Sequence, residues 1–288
     1  MSTCTWCGSV AADPHALSCD RCGAPLGASR HTDGSGWTEL PPIPDGARIH
    51  FGNSRAQIEG LWAPMVEVNL AAGDGLLFTH NMLLWQDPDT DVRNHPMSGA
   101  WKRMRAGLPL VMMEAHGPGR LGLSHDSSGE IVAVPLERGH TIIVREHHLV
   151  AATLSTPYDA MNSPVSYAVR SGNETEYEWP LGQYLDTFTA YDQPGLVLLH
   201  ALGNAFTRVL GPDERIVLNP SAFVMADLSV TLGLAMEVPA GDNRALALLR
   251  VFGPGRVLVQ SGSHGHVHRP WAQSIRQWSS GNLIVHHW

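Results

Sequence analysis

Four cysteines in the first 22 residues carry the clearest chemical signal in this sequence. They form two C-x-x-C pairs, each followed by a glycine: Cys4, Cys7, Cys19 and Cys22. Two intervening residues let both sulfurs of a tight turn point at one ion, and the glycine permits the close backbone turn. Two such turns facing each other give a closed tetrahedral S4 site, which is typical of structural zinc. The spacing therefore predicts an N-terminal zinc ribbon with Zn²⁺ as its structural cofactor.

Two other uses of paired cysteines fit this sequence less well. A disulfide framework requires an oxidising compartment, and the polar N-terminus does not resemble an export signal. A redox C-x-x-C normally occurs once, at the start of a helix in a βαβ unit, whereas here the pair is duplicated. Because so short a segment cannot bury enough core to fold alone, metal binding would supply its folding free energy.

A second group of metal-ligating residues lies near the C-terminus. His264, His266 and His268 alternate along the sequence, and on a strand all three would point to one face. Such a row suits Zn, Fe or Ni, so one alternative is a metal-dependent enzyme on a cupin-like β-helix. A cupin places a glutamate soon after its histidine pair, and residues 269–273 contain none. We favour an exposed polar loop, with this second metal site as the alternative.

The remaining polar residues match no catalytic signature. The sequence has no P-loop, no G-x-S-x-G elbow and no dinucleotide-binding glycine motif before a helix. Arg120 and Arg256 each follow a Gly-Pro-Gly turn, where an arginine either binds an anion or, more often, closes a surface ion pair. His147 and His148 are neighbours on a predicted strand, so at most one of them points inward. We therefore predict no catalytic residue.

Charge and hydropathy restrict the classes of partner. The formal net charge is −8, whereas a DNA-binding domain normally carries a basic surplus. DNA binding is therefore excluded, and RNA binding is a weak third alternative. No apolar stretch reaches the roughly 18 to 20 residues that a membrane helix needs. We expect a cytoplasmic protein, and nothing in the sequence indicates peripheral membrane contact.

The composition changes twice along the chain, which predicts three segments. Residues 1–28 form the zinc ribbon. Residues 29–46 are rich in glycine, serine and proline and are expected to be a flexible linker. Residues 47–288 consist of short apolar runs broken by glycine and proline, which is typical of a β-rich body with internal repeats.

The body is expected to be all-β, because its apolar runs have the lengths of strands and helical periodicity is scarce. The best helical candidate is residues 181–189. The side chains of Trp62, Met65, Met112 and Met113 are interpreted as core residues. The resulting fold class is a short-stranded β body of the barrel or double-stranded β-helix kind.

Internal repetition supports this interpretation. Residues 111–124, VMMEAHGPGRLGLS, resemble residues 248–261, LLRVFGPGRVLVQS, and residues 198–209 form a degenerate third copy. Each copy reads as a β-hairpin around a glycine turn. Three related units predict pseudo-threefold packing, in which each unit buries its apolar face against the next.

The repeats resemble a known family. The two GPGR turns, the LVQS that follows the second, the EIVAVPL-to-HHLVAA return and the aromatic tail are similar to the Altered Inheritance of Mitochondria, number twenty-four, family. The resemblance covers most of residues 47–288. It implies a β fold with pseudo-threefold symmetry, similar to the tryptophan RNA-binding attenuation protein class. Its mitochondrial members are linked to inner-membrane organisation, most bacterial members lack an assigned activity, and no catalytic residues carry over.

These observations together predict a non-enzymatic scaffold or adaptor. The β body would self-associate as a homo-oligomer or bind a protein partner, and the zinc ribbon would add a second contact. The main alternative is the cupin-like enzyme that uses the C-terminal histidines. Unlike the organellar relatives, this chain has a predicted zinc ribbon and no targeting peptide.

Overall fold

The described part of the chain consists almost entirely of β-strands. The structure, a computed structural model, describes residues 9–10, 19, 21, 30–31, 35–40, 43, 45–95, 112–171, 174–237, 246–262 and 284–285. In these residues helical structure is limited to two 3₁₀ turns, His80–Met82 and Pro220–Ala222. No helix within these ranges is long and apolar enough to cross a membrane. The predicted all-β class is confirmed.

Four strands precede the repeated part of the fold: β1 (Arg30–His31), β2 (Thr38–Glu39), β3 (Ala47–Phe51) and β4 (Ser54–Glu59). In β4 every second residue is buried, which is the pattern of a strand with one face on the core. This alternation explains why the short polar-apolar runs of the sequence become strands.

Three consecutive units of six principal strands follow. Unit 1 contains β5 (Met65–Leu70), β6 (Gly75–Thr79), β7 (Leu83–Gln86), β8 (Asp91–Asn94), β9 (Met112–His116) and β10 (Gly119–Ser124). Unit 2 contains β11 (Glu130–Leu136), β12 (Thr141–Arg145), β13 (Leu149–Thr153), β14 (Tyr158–Asn162), the inserted strands β15 (Tyr167–Ser171) and β16 (Glu174–Glu178), then β17 (Tyr184–Thr189) and β18 (Gly195–Ala201). Unit 3 contains β19 (Ala205–Leu210), β20 (Arg215–Leu218), β21 (Phe223–Asp227), β22 (Thr231–Glu237), β23 (Leu246–Phe252) and β24 (Gly255–Gln260). A short strand, β25 (Ile284–Val285), pairs with β15.

The same antiparallel pairing scheme recurs in all three units. The sixth strand lies between the first and the third, as in the pairs β10–β5 and β10–β7. The fifth strand lies between the second and the fourth, as in β9–β6 and β9–β8. Units 2 and 3 repeat both arrangements. Each unit is therefore built from two three-stranded half-sheets.

Successive units are joined by strand pairing. The second strand of unit 1, β6, pairs with the third strand of unit 2, β13, and β12 pairs in the same way with β21 of unit 3. The half-sheets of neighbouring units thereby merge into composite six-stranded sheets, one of which continues into β2 and β1 along β19. The body is a linear series of units that share sheets.

Three hydrophobic clusters fill the spaces between the half-sheets. In unit 1, Val68 and Leu121 of one half-sheet share a cluster with Phe78 and Ala115 of the other. The cluster also includes Val150 from β13, so it extends into unit 2. Because composite sheets carry core residues on both faces, strands such as β13 are buried along their whole length.

The hairpins predicted around the GPGR turns are wrong. The strands before and after each turn, β9 and β10 in unit 1 and β23 and β24 in unit 3, belong to different sheets and do not pair with each other. The turn instead crosses from one half-sheet to the facing one, with Gly117 packed against the backbone oxygen of Ala71 and Gly253 against that of Gly211. Residues 198–209, predicted as a third copy, are not equivalent to the other two, because they run from the sixth strand of unit 2, β18, to the first strand of unit 3, β19, in another sheet.

The helix predicted at residues 181–189 is also wrong. Residues Tyr184–Thr189 form β17, which lies between β12 and β14 and pairs with both. The segment is rich in aromatic and β-branched residues, which pack well on a pleated surface, and this central position overrides the weak helical spacing.

Part of the predicted linker contacts the body. Thr38 and Glu39 pair with β19, and the backbone N–H of Leu40 donates to the carbonyl of Ala205. The first strand longer than two residues in the described part of the chain, β3, begins at Ala47.

Candidate functional site

The two metal sites predicted from the sequence fall almost entirely outside the described residues. This applies to Cys4, Cys7, Cys22, His264, His266 and His268. Cys19 is described: it is buried, and its Sγ lies 3.1 Å from the Oγ of Ser9. Among the described residues no group of three or more histidine, cysteine or acidic side chains could hold a metal ion.

A polar cluster that sequence reasoning missed lies at the edge of unit 1. The carboxylate of Glu114 on β9 is 2.6 Å from Nδ1 of His95 and 2.9 Å from Nε2 of His116. Burial raises the pKa of Glu114, but the hydrogen bonds to both imidazoles outweigh burial and hold that pKa below its usual value. The pair of Glu114 and His116 could have been found in the sequence, because two residues that are two positions apart on a strand share one face.

The Glu114 cluster offers two alternative proton arrangements. Nε2 of His116 lies 2.9 Å from Glu114 and 2.8 Å from Nη2 of Arg93. A protonated Nε2 donates to the carboxylate, whereas an unprotonated Nε2 accepts from the guanidinium. The position of one proton thus selects which neighbour His116 binds.

Three histidines form a second polar group inside unit 2. His125 and His200 stack with their ring centroids 4.0 Å apart, and Nδ1 of His148 donates to the backbone carbonyl of His200 at 2.8 Å. Burial lowers the pKa of His148 to about 3, so its ring is neutral at neutral pH. His147 is exposed in the preceding turn at φ 69°, so one of the adjacent histidines points inward and the other outward.

The arginines after the GPGR turns form ion pairs. Nε of Arg120 lies 2.9 Å from Oδ2 of Asp87, and Nη2 of Arg256 lies 3.4 Å from Oδ1 of Asp227. Asp87 directly follows β7 and Asp227 is the last residue of β21, so both lie at the end of the third strand of their unit and the two pairs occupy equivalent positions. Of the two uses considered for these arginines, the structure shows the surface ion pair.

A cleft of about 960 Å³ is lined by residues of all three units. Loops of unit 1, loops of unit 2 and the third and sixth strands of unit 3 meet there. Its charged lining is mixed: Asp74, Glu137, Asp227 and Arg256 all contribute. The Arg256 side chain is paired with Asp227, so acidic groups prevail in this cleft.

Among the residues that the structure describes, the two most exposed large apolar side chains lie in the loop between β4 and β5. Leu61 is 75% exposed and Trp62 is 83% exposed, so the interpretation of Trp62 as a core residue is wrong. We call these two residues the Leu61–Trp62 patch. The loop backbone is held in place, because the Gly60 N–H donates to Asp45 and the Trp62 carbonyl accepts from the Gly129 N–H.

Comparison with solved structures supports the β fold described above. The crystal structure of a Streptococcus pyogenes protein superposes with a TM-score of 0.56 at 15% sequence identity. The match covers 78% of this chain and 99% of that one, so the two proteins share the β architecture. No curated protein matches the sequence.

The family comparison covers the repeated part of the body. The sequence pattern of the family described as "Mitochondrial biogenesis AIM24" matches residues 56–262, which extend from β4 to just beyond β24. These are the residues that form the three units, so the match and the repeated strand pairing describe the same part of the chain. The chain belongs to the mitochondrial biogenesis AIM24 family.

Proposed function

We propose that this protein is a non-enzymatic scaffold that binds a protein partner through its β body, with the N-terminal zinc ribbon as a second contact. The Leu61–Trp62 patch is the observation that carries the proposal. Tryptophan is enriched among the residues that contribute most to binding at protein interfaces, because a large rigid side chain loses little conformational entropy there.

The anchoring of the loop supports a binding role. Hydrogen bonds to Asp45 and from Gly129 fix the backbone on both sides of the Leu61–Trp62 patch. The hydroxyl of Ser124 also donates to the carbonyl of Pro64 at 3.2 Å. A loop that is already ordered before binding avoids part of the entropic cost of association.

The chemistry of the patch points to a protein with an apolar pocket. An indole and a leucine side chain offer apolar area and a single N–H donor, whereas a nucleic acid backbone requires cationic groups. The net charge of −8 disfavours a polyanionic ligand as well. Membership in the AIM24 family is compatible with a role of this kind.

Site-specific photo-crosslinking tests the proposal. A photoreactive phenylalanine analogue would replace Trp62 in the full chain expressed in its native host, and a matched chain would carry it at Tyr191. Tyr191 is the control because it is also an exposed aromatic residue, in a loop of unit 2. We expect a discrete crosslinked protein from position 62 and none of that size from position 191.

A second variant separates contact from chance proximity. Leu61→Ser in the chain that carries the probe at position 62 should reduce the crosslinked species about tenfold, since the lost side chain contributes apolar area to the same contact. Equal crosslinking from positions 62 and 191, or no effect of Leu61→Ser, would contradict the role of this patch.

A further inference from the structure

The two junctions between units have the same geometry. In the first, Leu77 of β6 is opposite Ala152 of β13, and in the second, Ile143 of β12 is opposite Ala226 of β21. Each junction pairs the second strand of one unit with the third strand of the next. The register is the same relative to the other strands of each unit, so the chain uses one type of contact twice.

The third strand of every unit carries one extra residue at the same position. The register of the third strand against the sixth shifts once in each unit, which leaves Leu84, Val150 and Val224 as the additional residues. Val150 and Val224 are fully buried at the two junctions, whereas Leu84 is 59% exposed. Leu84 thus occupies a position that is covered wherever a preceding unit is present.

The second strands show the complementary difference. Leu77, Ile143 and Val217 are equivalent, since each is opposite the same position of the fifth strand: Glu114, Thr187 and Arg250. Leu77 and Ile143 are buried at the junctions, whereas Val217 is 46% exposed. Val217 thus occupies a position that is covered wherever a following unit is present.

Strands β7 and β20 are the two members of this contact that have no junction partner in the described part of the chain. There, β7 is the last strand of its sheet beside β10, and β20 is the last strand of its sheet beside β23. One end of the body therefore exposes a third strand, and the other end exposes a second strand. An exposed strand edge with an apolar face is a template for pairing with another chain.

We propose that a second copy of this chain occupies each end, with β20 of one copy pairing antiparallel to β7 of the next. By equivalence with the internal junctions, Val217 would lie opposite Gln86 and Leu218 opposite Trp85. The contact is continuous with the sheet-sharing already present inside the chain. It joins the three-stranded sheet of β20 to the five-stranded sheet of β7 and covers Leu84 and Val217 at the same time.

This contact is heterologous, because the two surfaces that meet are different. Such head-to-tail contacts produce rings when the rotation closes and open chains when it does not. Self-assembly is tested by substitutions at Leu84 and Val217 and partner binding by substitutions at Leu61 and Trp62, so the two proposals are tested separately. Failure of one leaves the other standing.

Complementation of two blocked variants tests the proposal. Leu84→Lys and Val217→Lys each place a charge at a position that assembly would bury, and both positions are exposed in the single chain, so folding is preserved. Light scattering after gel filtration should show the unaltered full-length chain as an oligomer and each variant as a monomer of 31.2 kDa. Each substitution should weaken self-association about 100-fold or more.

The mixture of the two variants gives the decisive result. Leu84→Lys retains an intact β20, and Val217→Lys retains an intact β7, so an equimolar mixture should form a dimer of twice the 31.2 kDa chain mass and nothing larger. A contact between two identical edges would not be rescued in this way. Leu228→Lys, at another exposed apolar residue, is the control that should leave the oligomer unchanged.

Disulfide trapping checks the register. A chain that carries both Gln86→Cys and Val217→Cys should give a ladder of covalent multimers under mild oxidation, because directly opposed residues have Cβ atoms about 5 Å apart. The unaltered chain controls for its own cysteines. A monomeric unaltered chain, a mixture that fails to dimerise, or a bond within a single chain would each overturn the proposal.

Discussion

His148 is a buried side chain whose ionisation affects the stability of the fold. Burial lowers its pKa to about 3 from 6.5, against the opposing effect of the hydrogen bond to the His200 carbonyl. The unfolded chain therefore binds a proton near pH 6.5 that the folded protein does not bind until about pH 3. Because the unfolded state is favoured by this proton, stability is complete above pH 6.5 and falls as the pH decreases towards 3.

We expect His148→Asn to reduce this pH dependence. Asparagine can place an N–H near the position of Nδ1, so the donor to the His200 carbonyl is retained. Between pH 7 and pH 5 the unaltered chain should lose about 2 kcal/mol more of its free energy of unfolding than the variant. Urea unfolding at the two pH values measures the difference.

His140→Asn provides the matched control for this experiment. His140 is exposed in the turn between β11 and β12, so its replacement should leave the pH dependence unchanged. If His148→Asn and the unaltered chain lose the same stability between pH 7 and pH 5, the burial of His148 does not govern this dependence.

The sequence predicted some residue environments and missed others. Strand alternation indicated that only one of His147 and His148 would face inward. His148 does, but both residues lie in the turn between β12 and β13 and not on the predicted strand. The interpretation of Trp62 as a core residue was wrong because the hydropathy of a side chain does not determine its position in the fold. A loop between two strands can expose an apolar side chain to solvent. His95 was out of reach, since its contact with Glu114 depends on the pairing of β8 with β9.

At the scale of elements, the turns between fifth and sixth strands require glycine for close packing. A Cβ on Gly253 would overlap the backbone oxygen of Gly211, and one on Gly117 would overlap that of Ala71. Backbone atoms cannot move aside as a flexible side chain can, so the turn itself must shift. We expect Gly117→Ala and Gly253→Ala each to cost about 1–3 kcal/mol in the free energy of unfolding.

Gly211→Ala is the control for these two substitutions. Its Cβ would meet no atom closer than 3.9 Å, although Gly211 lies in the turn that contacts Gly253. Thermal or urea unfolding should place Gly211→Ala close to the unaltered chain and the other two variants well below it. Similar stabilities for all three variants would contradict the close packing of these turns.

Strand positions could be predicted from the sequence, but their pairing could not. Alternation and turn residues located β5 (Met65–Leu70) and several other strands, because burial of one face imposes a period of two residues. Pairing depends on where a turn directs the chain, and a short glycine turn serves a hairpin and a crossing between sheets equally well. The strands beside GPGR were therefore assigned to each other, whereas they pair with strands of the two facing half-sheets.

At the scale of the whole molecule, three units with one pairing scheme account for the architecture. The resemblance between residues 111–124 and 248–261 indicated repetition, because equivalent turns keep equivalent glycines. The sharing of sheets between units was not visible in the sequence, since a strand that pairs with the neighbouring unit, such as β13, is as apolar as a strand that pairs only within its own unit, such as β18. The same sharing explains why the two ends of the series differ, with a third strand exposed at one end and a second strand at the other.

The N-terminal cysteines give the last prediction, at the scale of the chain and its modules. We expect about one zinc ion per full-length chain, held by Cys4, Cys7, Cys19 and Cys22, because four thiolates at this spacing form a closed tetrahedral site. Elemental analysis of the purified protein measures the content. Cys7→Ser and Cys22→Ser should each abolish stoichiometric zinc, whereas His266→Ala should retain it, since the C-terminal histidines are expected to form a loop.

Urea unfolding of the β body tests whether the zinc ribbon stabilises only itself or also stabilises the rest of the chain. All buried members of the three hydrophobic clusters lie at or after Ile49, and the earlier residues packed against them, Trp37, Leu40 and Ile43, lie outside the predicted ribbon at residues 1–28. The urea midpoint should therefore be the same in Cys7→Ser and in the unaltered chain. If zinc persists in both cysteine variants and is lost in His266→Ala, the C-terminal histidines and not the cysteines bind the metal. That outcome would favour the cupin-like enzyme over the scaffold, because the ion would then belong to the body.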